Sequence, residues 1–141
     1  MGTNEVRLPL LLELVKRLRE RYSDNIALQF DIYRIAGSGA QRSAPRRAEY
    51  VAIADVNEQW WSEQLSNLAP DEEIALRSKV QMLSGVVGHI PMIDFTSDDA
   101  NVVKERCAQM ADDWDMEDYV IVPSGRSFHA YWPFLLTHEY W

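Results

Sequence analysis

Cysteine is nearly absent from this chain: Cys107 stands alone, which excludes an internal disulfide and any zinc site built from thiolates. Glycine is sparse, at 6 residues, and none sits in a Walker loop, a dinucleotide fingerprint or a nucleophile elbow. Long apolar runs are missing as well. The N-terminal stretch "MGTNEVRLPLLLELVKRLRE" is interrupted by Glu13 and Lys16 and is too short to cross a bilayer, so it reads as an amphipathic helix and not as a signal. Basic charge is in deficit, with 14 Lys and Arg against 22 Asp and Glu and a formal net charge of -8. Phosphate backbones repel such a surface at low salt, so any nucleic-acid contact must be local.

What is present is a chain of 141 residues, 47% hydrophobic and 26% charged, with its apolar residues in periodic segments. That composition predicts one globular domain over residues 1–141, and the near-absence of cysteine predicts a cytoplasmic setting. No membrane association is expected.

The segment Leu8 to Tyr22 places Leu11, Leu14, Val15, Leu18 and Tyr22 on one helical stripe, with Pro9 in the first turn. "NIALQFDIYRI" changes to period two, with Ile26, Leu28, Phe30 and Ile32 on one face and Gln29, Asp31 and Tyr33 on the other. After a loop "AGSGAQRSAPRR", which carries the basic cluster Arg42, Arg46 and Arg47, "AEYVAIADV" reads as a second strand. "NEQWWSEQLSNL" and "PDEEIALRSKVQMLSG" both read as helices, the second with acids in its first turn and Gly85 at its end. Adjacent Trp60 and Trp61 cannot both face the core of a regular helix, so one of them is expected to be exposed to a partner.

"HIPMIDF" has almost no alternation, which predicts a central strand covered on both faces. "TSDDANVVKERCAQMADDW" reads as a helix with Ser97 as N-cap, Asp98 and Asp99 in the first turn, and Val103, Cys107, Met110 and Trp114 on the buried stripe. The last part is a pair of strands, "DYVIV" and "SFHAYW", joined at "PSGR". Alternation sends Phe128, Ala130 and Trp132 one way and Ser127, His129 and Tyr131 the other. The order of elements predicts an α+β or mixed α/β domain.

Two places carry chemistry. Asp94 ends a strand just before a helix start, and Thr96, two residues on, points the same way if the strand extends that far. One carboxylate alone predicts weak binding of a hard cation. The segment "SGRSFH" offers backbone N–H groups at Ser124 and Gly125, the Arg126 guanidinium, the Ser127 hydroxyl and the His129 imidazole, each able to donate to phosphate oxygens. An ordinary hairpin with a partly buried histidine is the plainer alternative. His89 and His138 have no metal-ligand spacing.

"HIPMIDFT", a helix, and then "YVIVPSGRSFHAYWPF" together resemble the catalytic core of the archaeo-eukaryotic primase and primase-polymerase superfamily, over roughly residues 86–134. The resemblance is closest to primase 1D-like proteins with a degenerate or truncated core. It implies a primase-like (RRM-like) mixed sheet with flanking helices. It also implies that Asp94 is the first acid of a D-x-D metal motif whose second position is Thr96. The small-x-His motif that binds the incoming nucleotide's phosphates maps to Ser127 and His129, with Arg126 in the preceding turn. A third acid, on a later strand, has no counterpart before Trp141; Asp31 and Asp55 are not recommended as substitutes by any spacing.

The implied function is binding of nucleotide or polynucleotide phosphate through Ser124, Gly125, Arg126, Ser127 and His129, with Asp94 and His129 as the catalytic pair. Mg or Mn would be held by Asp94 through the ligand, with little or no polymerase activity alone. Two alternatives stand beside it: an inactive protein-interaction scaffold with a protein partner or as a homodimer, or part of a metal-dependent DNA or RNA nucleotidyltransferase of DNA replication, completed by downstream sequence or another subunit.

Overall fold

Leu11, Leu14, Val15 and Leu18 recur at helical spacing and are all buried, which fixes the inward face of α1 (Thr3–Tyr22). The structure, a computed structural model, describes residues 3–35, 42–124 and 127–137. The helix begins earlier than the sequence suggests, so Pro9 lies inside it and not in its first turn. Pro9 is on the solvent side, and its missing N–H removes one intrahelical bond there.

β1 (Ile26–Ile35) lies between β2 (Arg42–Ala52) and β3 (Glu72–Met82), antiparallel to both. Ile26, Leu28, Phe30 and Ile32 face the core as their alternation requires. β2 starts at Arg42, so Arg42, Arg46 and Arg47 stand on an edge strand and not in a loop, while 36–41 lies outside the described residues. Pairing with the far end of β1 draws this segment into the sheet; Pro45, opposite Tyr33, is compatible with an edge position.

A short 3-10 turn (Ile53–Asp55) leads to α2 (Glu58–Asn67), capped by Asn57, whose side chain accepts from the Trp60 N–H at 2.9 Å. Both tryptophans pack. Trp61 is buried, and Trp60 is half-buried against Phe30 with ring centroids 4.8 Å apart, so the expected exposed tryptophan is not found here. The two indoles reach different parts of the same core.

"PDEEIALRSKVQMLSG" is not a helix. Ile74, Leu76 and Val80 pair with β1 and bury their side chains, so sheet hydrogen bonding prevails over the helix-like acidic start. Gly85 has φ +84 in the turn between β3 and β4 (Val87–His89), where its N–H donates to the Met82 carbonyl.

"HIPMIDF" is likewise not one central strand. At Ile90 and Pro91 it breaks into β4, which pairs with β3, and β5 (Met92–Phe95), an edge strand of a second sheet. The junction is tied by Ile90 N–H to Ser78 O at 2.7 Å, Ser78 Oγ to Ile90 O at 2.8 Å, and Trp132 N–H to Pro91 O at 2.9 Å. Proline has no N–H for a continuing ladder, which is why the strand changes sheets there.

α3 (Ala100–Trp114) is capped by Asp99, which accepts from Asn101 N–H at 2.9 Å. Ser97 acts one step earlier, accepting from Asp99 N–H at 3.1 Å, so Asp98 and Asp99 precede the helix. The buried stripe runs Val103, Cys107, Ala111 in steps of four; Met110 is half-buried and Trp114, in the last turn, is exposed. Burial pushes the Cys107 thiol above its ordinary range, consistent with a packing role.

The five-stranded sheet has the order β2-β1-β3-β4-β8 and the three-stranded sheet β5-β7-β6, where β6 is Val120–Ser124, β7 is Ser127–Tyr131 and β8 is Leu136–Thr137. One core lies between the larger sheet, α1, α2 and the inner face of β6 and β7; a second, with Phe95, Val103, Cys107, Ala130 and Trp132, lies between the small sheet and α3. The result is a mixed α+β architecture with two antiparallel sheets.

Candidate functional site

The two ends of the small sheet's inner face differ in polarity. β5 and β7 pair with Met92 opposite Tyr131 and Asp94 opposite His129, and β6 places Val122 opposite His129 on the other side. Directly opposed residues share a face, so Asp94, His129 and Val122 form one row and Met92, Tyr131 and Val120 the next.

His129 and Asp94 meet. The Nε2 of His129 lies 3.3 Å from Asp94 Oδ1, with the imidazole 5% and the carboxylate 56% exposed. The approach is a close contact and not an aligned hydrogen bond, and it is an ion pair only when the imidazole carries a second proton. On the other side of the ring, Nδ1 is 3.2 Å from Tyr131 Oη, and that phenol donates to the Leu76 carbonyl at 3.1 Å. With its proton committed to Leu76, the phenol offers lone pairs to the ring, which places a proton on Nδ1. Asp94, His129, Tyr131 and the β3 backbone thus form a chain of polar contacts from the surface to the interior.

This chain exists because the sheets diverge. β3 pairs with β4 only from Lys79 to Gln81, so its earlier residues lose that neighbour and a wedge opens toward β5 and β7. Two side chains cap carbonyls of β3 in the wedge: Tyr131 on Leu76 and Arg7, from α1, on Ile74. Arg7 is buried, with its guanidinium carbon 5.1 Å from the centre of the Trp61 ring. Arg7, Trp61, His129 and Tyr131 line one small cavity.

Ser124 and Ser127 are paired at the end of the hairpin, which places their backbones beyond His129 on neighbouring strands. Their side chains, and Gly125 and Arg126 altogether, lie outside the described residues. Thr96 follows the end of β5 and is exposed. Asp31 does not join the site: alternation turns it away from the face of Phe30 and Ile32, where Arg77 at 3.2 Å and the Gln29 amide at 3.1 Å hold it. Asp55 is exposed in the turn before α2. His89 is buried on β4, and His138 lies outside the described residues.

Among the described residues, no group of three His, Cys, Asp or Glu side chains could hold a metal ion. Arg7 was not singled out by sequence reading, although it had a signal: it falls on the stripe of Leu11, Leu14 and Leu18, where a cation must be buried with acceptors around it.

The mixed α+β scaffold with its two antiparallel sheets is consistent with a primase-like fold. The sequence model of the archaeo-eukaryotic primase 1D-like family matches residues 52–141, and the chain belongs to that family. No curated protein and no solved structure gives a match.

Proposed function

We propose that the chain binds nucleotide or polynucleotide phosphate at the hairpin end of the small sheet, with weak or no polymerase activity on its own. The observation that supports this most is the Asp94–His129 contact at 3.3 Å, on adjacent strands beside Ser124 and Ser127. The Nδ1 side of the imidazole is engaged by Tyr131, and the buried Nε2 side faces the exposed Asp94 carboxylate. Hairpin N–H groups at Ser124 and Gly125, the Arg126 guanidinium and the Ser127 hydroxyl complete the phosphate-binding set in this reading.

Asp94 gives the site its selectivity. Its charge opposes a bare phosphate beside His129 and favours a phosphate that carries Mg or Mn. Asp94 and His129 are also the residues on which nucleotidyl transfer would depend, in an assembly where further acids were supplied. Nucleic acid would approach along the β2 edge, where Arg42, Arg46 and Arg47 stand. A cytoplasmic setting accords with this reading; among the described residues no helix is long and apolar enough to cross a membrane.

A second reading, an interaction scaffold that engages a protein partner or a second copy, draws support from Trp114, 59% exposed at the end of α3. Calorimetric titration with ATP and dATP, with and without Mn, separates the two when run alongside His129→Ala. Metal-dependent heat that disappears in the variant supports the phosphate site. No heat at millimolar ligand from a folded protein would overturn it and leave the scaffold.

A further inference from the structure

The larger sheet ends on one side in β8, two residues long, and on the other in β2, eleven residues long. Among the described residues β2 pairs with β1 alone, so its other side offers a row of backbone N–H and C=O groups to a further strand. Folded proteins blunt such edges with prolines, bulges and lysines. β2 has the first two only in its first half: Pro45, and the register shifts against β1 between Ile32 and Ile35. From Arg47 to Ala52 the ladder with β1 is regular, Ala48 and Ala52 are small and exposed, and Tyr50 is 50% exposed.

The charges of this regular stretch complement themselves. Arg47 lies opposite Ile32 and Glu49 opposite Phe30, so both stand on the sheet face that carries α1 and α2. Within the chain they approach at 3.8 Å, with side chains 42% and 36% exposed. Set antiparallel to a second copy about a two-fold axis at Ala48, β2 places Arg47 opposite Glu49 of the second copy and Glu49 opposite its Arg47. Opposed residues of opposite charge stabilise an antiparallel pair, and like charges destabilise it. Sliding one copy by two residues sets Arg47 against Arg47 in one direction and Glu49 against Glu49 in the other. A slip of one residue turns the helix-covered faces of the two copies to opposite sides of the joined sheet. At the favoured register Tyr50, on the open face, lies diagonal to Ala48 of the second copy, within reach of an aromatic side chain. Pro45, opposite Val51, bounds the paired stretch.

We propose that the chain forms a homodimer by antiparallel pairing of β2 with β2 of a second copy across a two-fold axis at Ala48, which joins the two larger sheets into one. Reciprocal pairing of Arg47 with Glu49 fixes the register. A two-fold contact uses the same patch on both copies and closes, so it ends the edge where a one-way contact would extend it. The seam also gathers the Arg42, Arg46 and Arg47 positions of both copies along one line. This inference goes beyond the phosphate site, does not involve Trp114, and stands whether or not a nucleotide binds.

The first test is sedimentation equilibrium of the full chain over a range of concentrations. A monomer–dimer equilibrium is expected for wild type, and a monomer at every concentration overturns the proposal. Glu49→Arg sets like charges opposite each other on both sides of the axis and is expected to weaken the dimer by about tenfold or more, with circular dichroism to establish that the variant is folded. Adding Arg47→Glu restores opposite signs in exchanged positions, and recovery of the dimer is expected. A dimer that Glu49→Arg leaves equally tight, or that the double exchange fails to restore, overturns the pairing. Should the charge variants fail to fold, Ala48→Cys reads the register directly, since the native Cys107 is buried. Position 48 meets its own copy at the axis, so mild oxidation is expected to link two chains, whereas Ala52→Cys, opposite Ala44 of the second copy, is expected to stay unlinked. No link at position 48, or equal linking at position 52, overturns the register.

Discussion

Tyr131 and Leu76 stand 55 positions apart in the chain, yet the phenol of one donates to the backbone carbonyl of the other at 3.1 Å. The bond crosses the wedge between the two sheets at the point where β3 no longer has β4 beside it. Tyr131→Phe would leave the Leu76 carbonyl and the His129 Nδ1–H without that oxygen in a buried setting. A loss of about 1–3 kcal/mol in unfolding free energy is expected, to be read from urea denaturation. No change in the midpoint would mean that the oxygen is dispensable.

Asp94 and His129 are expected to respond differently to substitution. Removing the carboxylate charge with Asp94→Asn should weaken the dependence of nucleotide binding on Mn, because the bare phosphate no longer meets a negative charge. His129→Ala should lose binding with or without the metal. Calorimetry on both variants would decide this, and equal metal dependence in Asp94→Asn and wild type would contradict the role given to Asp94.

Gly85 tests the β3–β4 turn. Its φ of +84 disfavours any residue with a Cβ, although nothing lies within 4 Å of the place that atom would occupy. The expected cost of Gly85→Ala is therefore backbone strain alone, about 1 kcal/mol, measured by thermal or chemical unfolding. A neutral result would show that the turn relaxes freely.

Cys107 should resist thiol reagents. It is buried against Ala130 and Trp132, and burial raises its ionisation above the ordinary thiol range, so the reactive thiolate is scarce at neutral pH. Slow labelling of the native protein and complete labelling in denaturant are expected. Because burial raises the folded thiol's ionisation, this group's contribution to stability is full below the unfolded thiol's titration and declines as pH rises above it. Rapid labelling in native buffer would show that the second core opens readily.

The elements whose signals were local were readable in the sequence. α1 carries Leu11, Leu14, Val15 and Leu18 buried at helical spacing, and β1 alternates cleanly through Ile26, Leu28, Phe30 and Ile32. β3 reads as a helix because its opening acids and closing glycine imitate helix ends, while what decides its conformation is pairing along its length with β1, which is distant in sequence. β4 and β5 were read as one strand because an apolar run does not reveal which of two sheets each half joins. The family resemblance names Asp94 and His129 together, and their strands pair with the two residues directly opposite. Arg7 shows in the sequence only as a cation on the apolar stripe of α1, and its contact with Trp61 comes from packing between α1, α2 and β3, which no local spacing encodes.

The matched family region begins at residue 52, whereas β1, the strand inside the larger sheet on which β3 rests, ends at Ile35. A boundary drawn by sequence likeness therefore cuts through a hydrogen-bonded ladder and through the core that α1 shares with Phe30, Val80 and Tyr131. Freed at that line, the matched stretch would present β3 as a raw edge with its apolar face in water, an invitation to pair with other chains. The first fifty or so residues thus cover the edge and the face that the family-matched remainder would otherwise leave open.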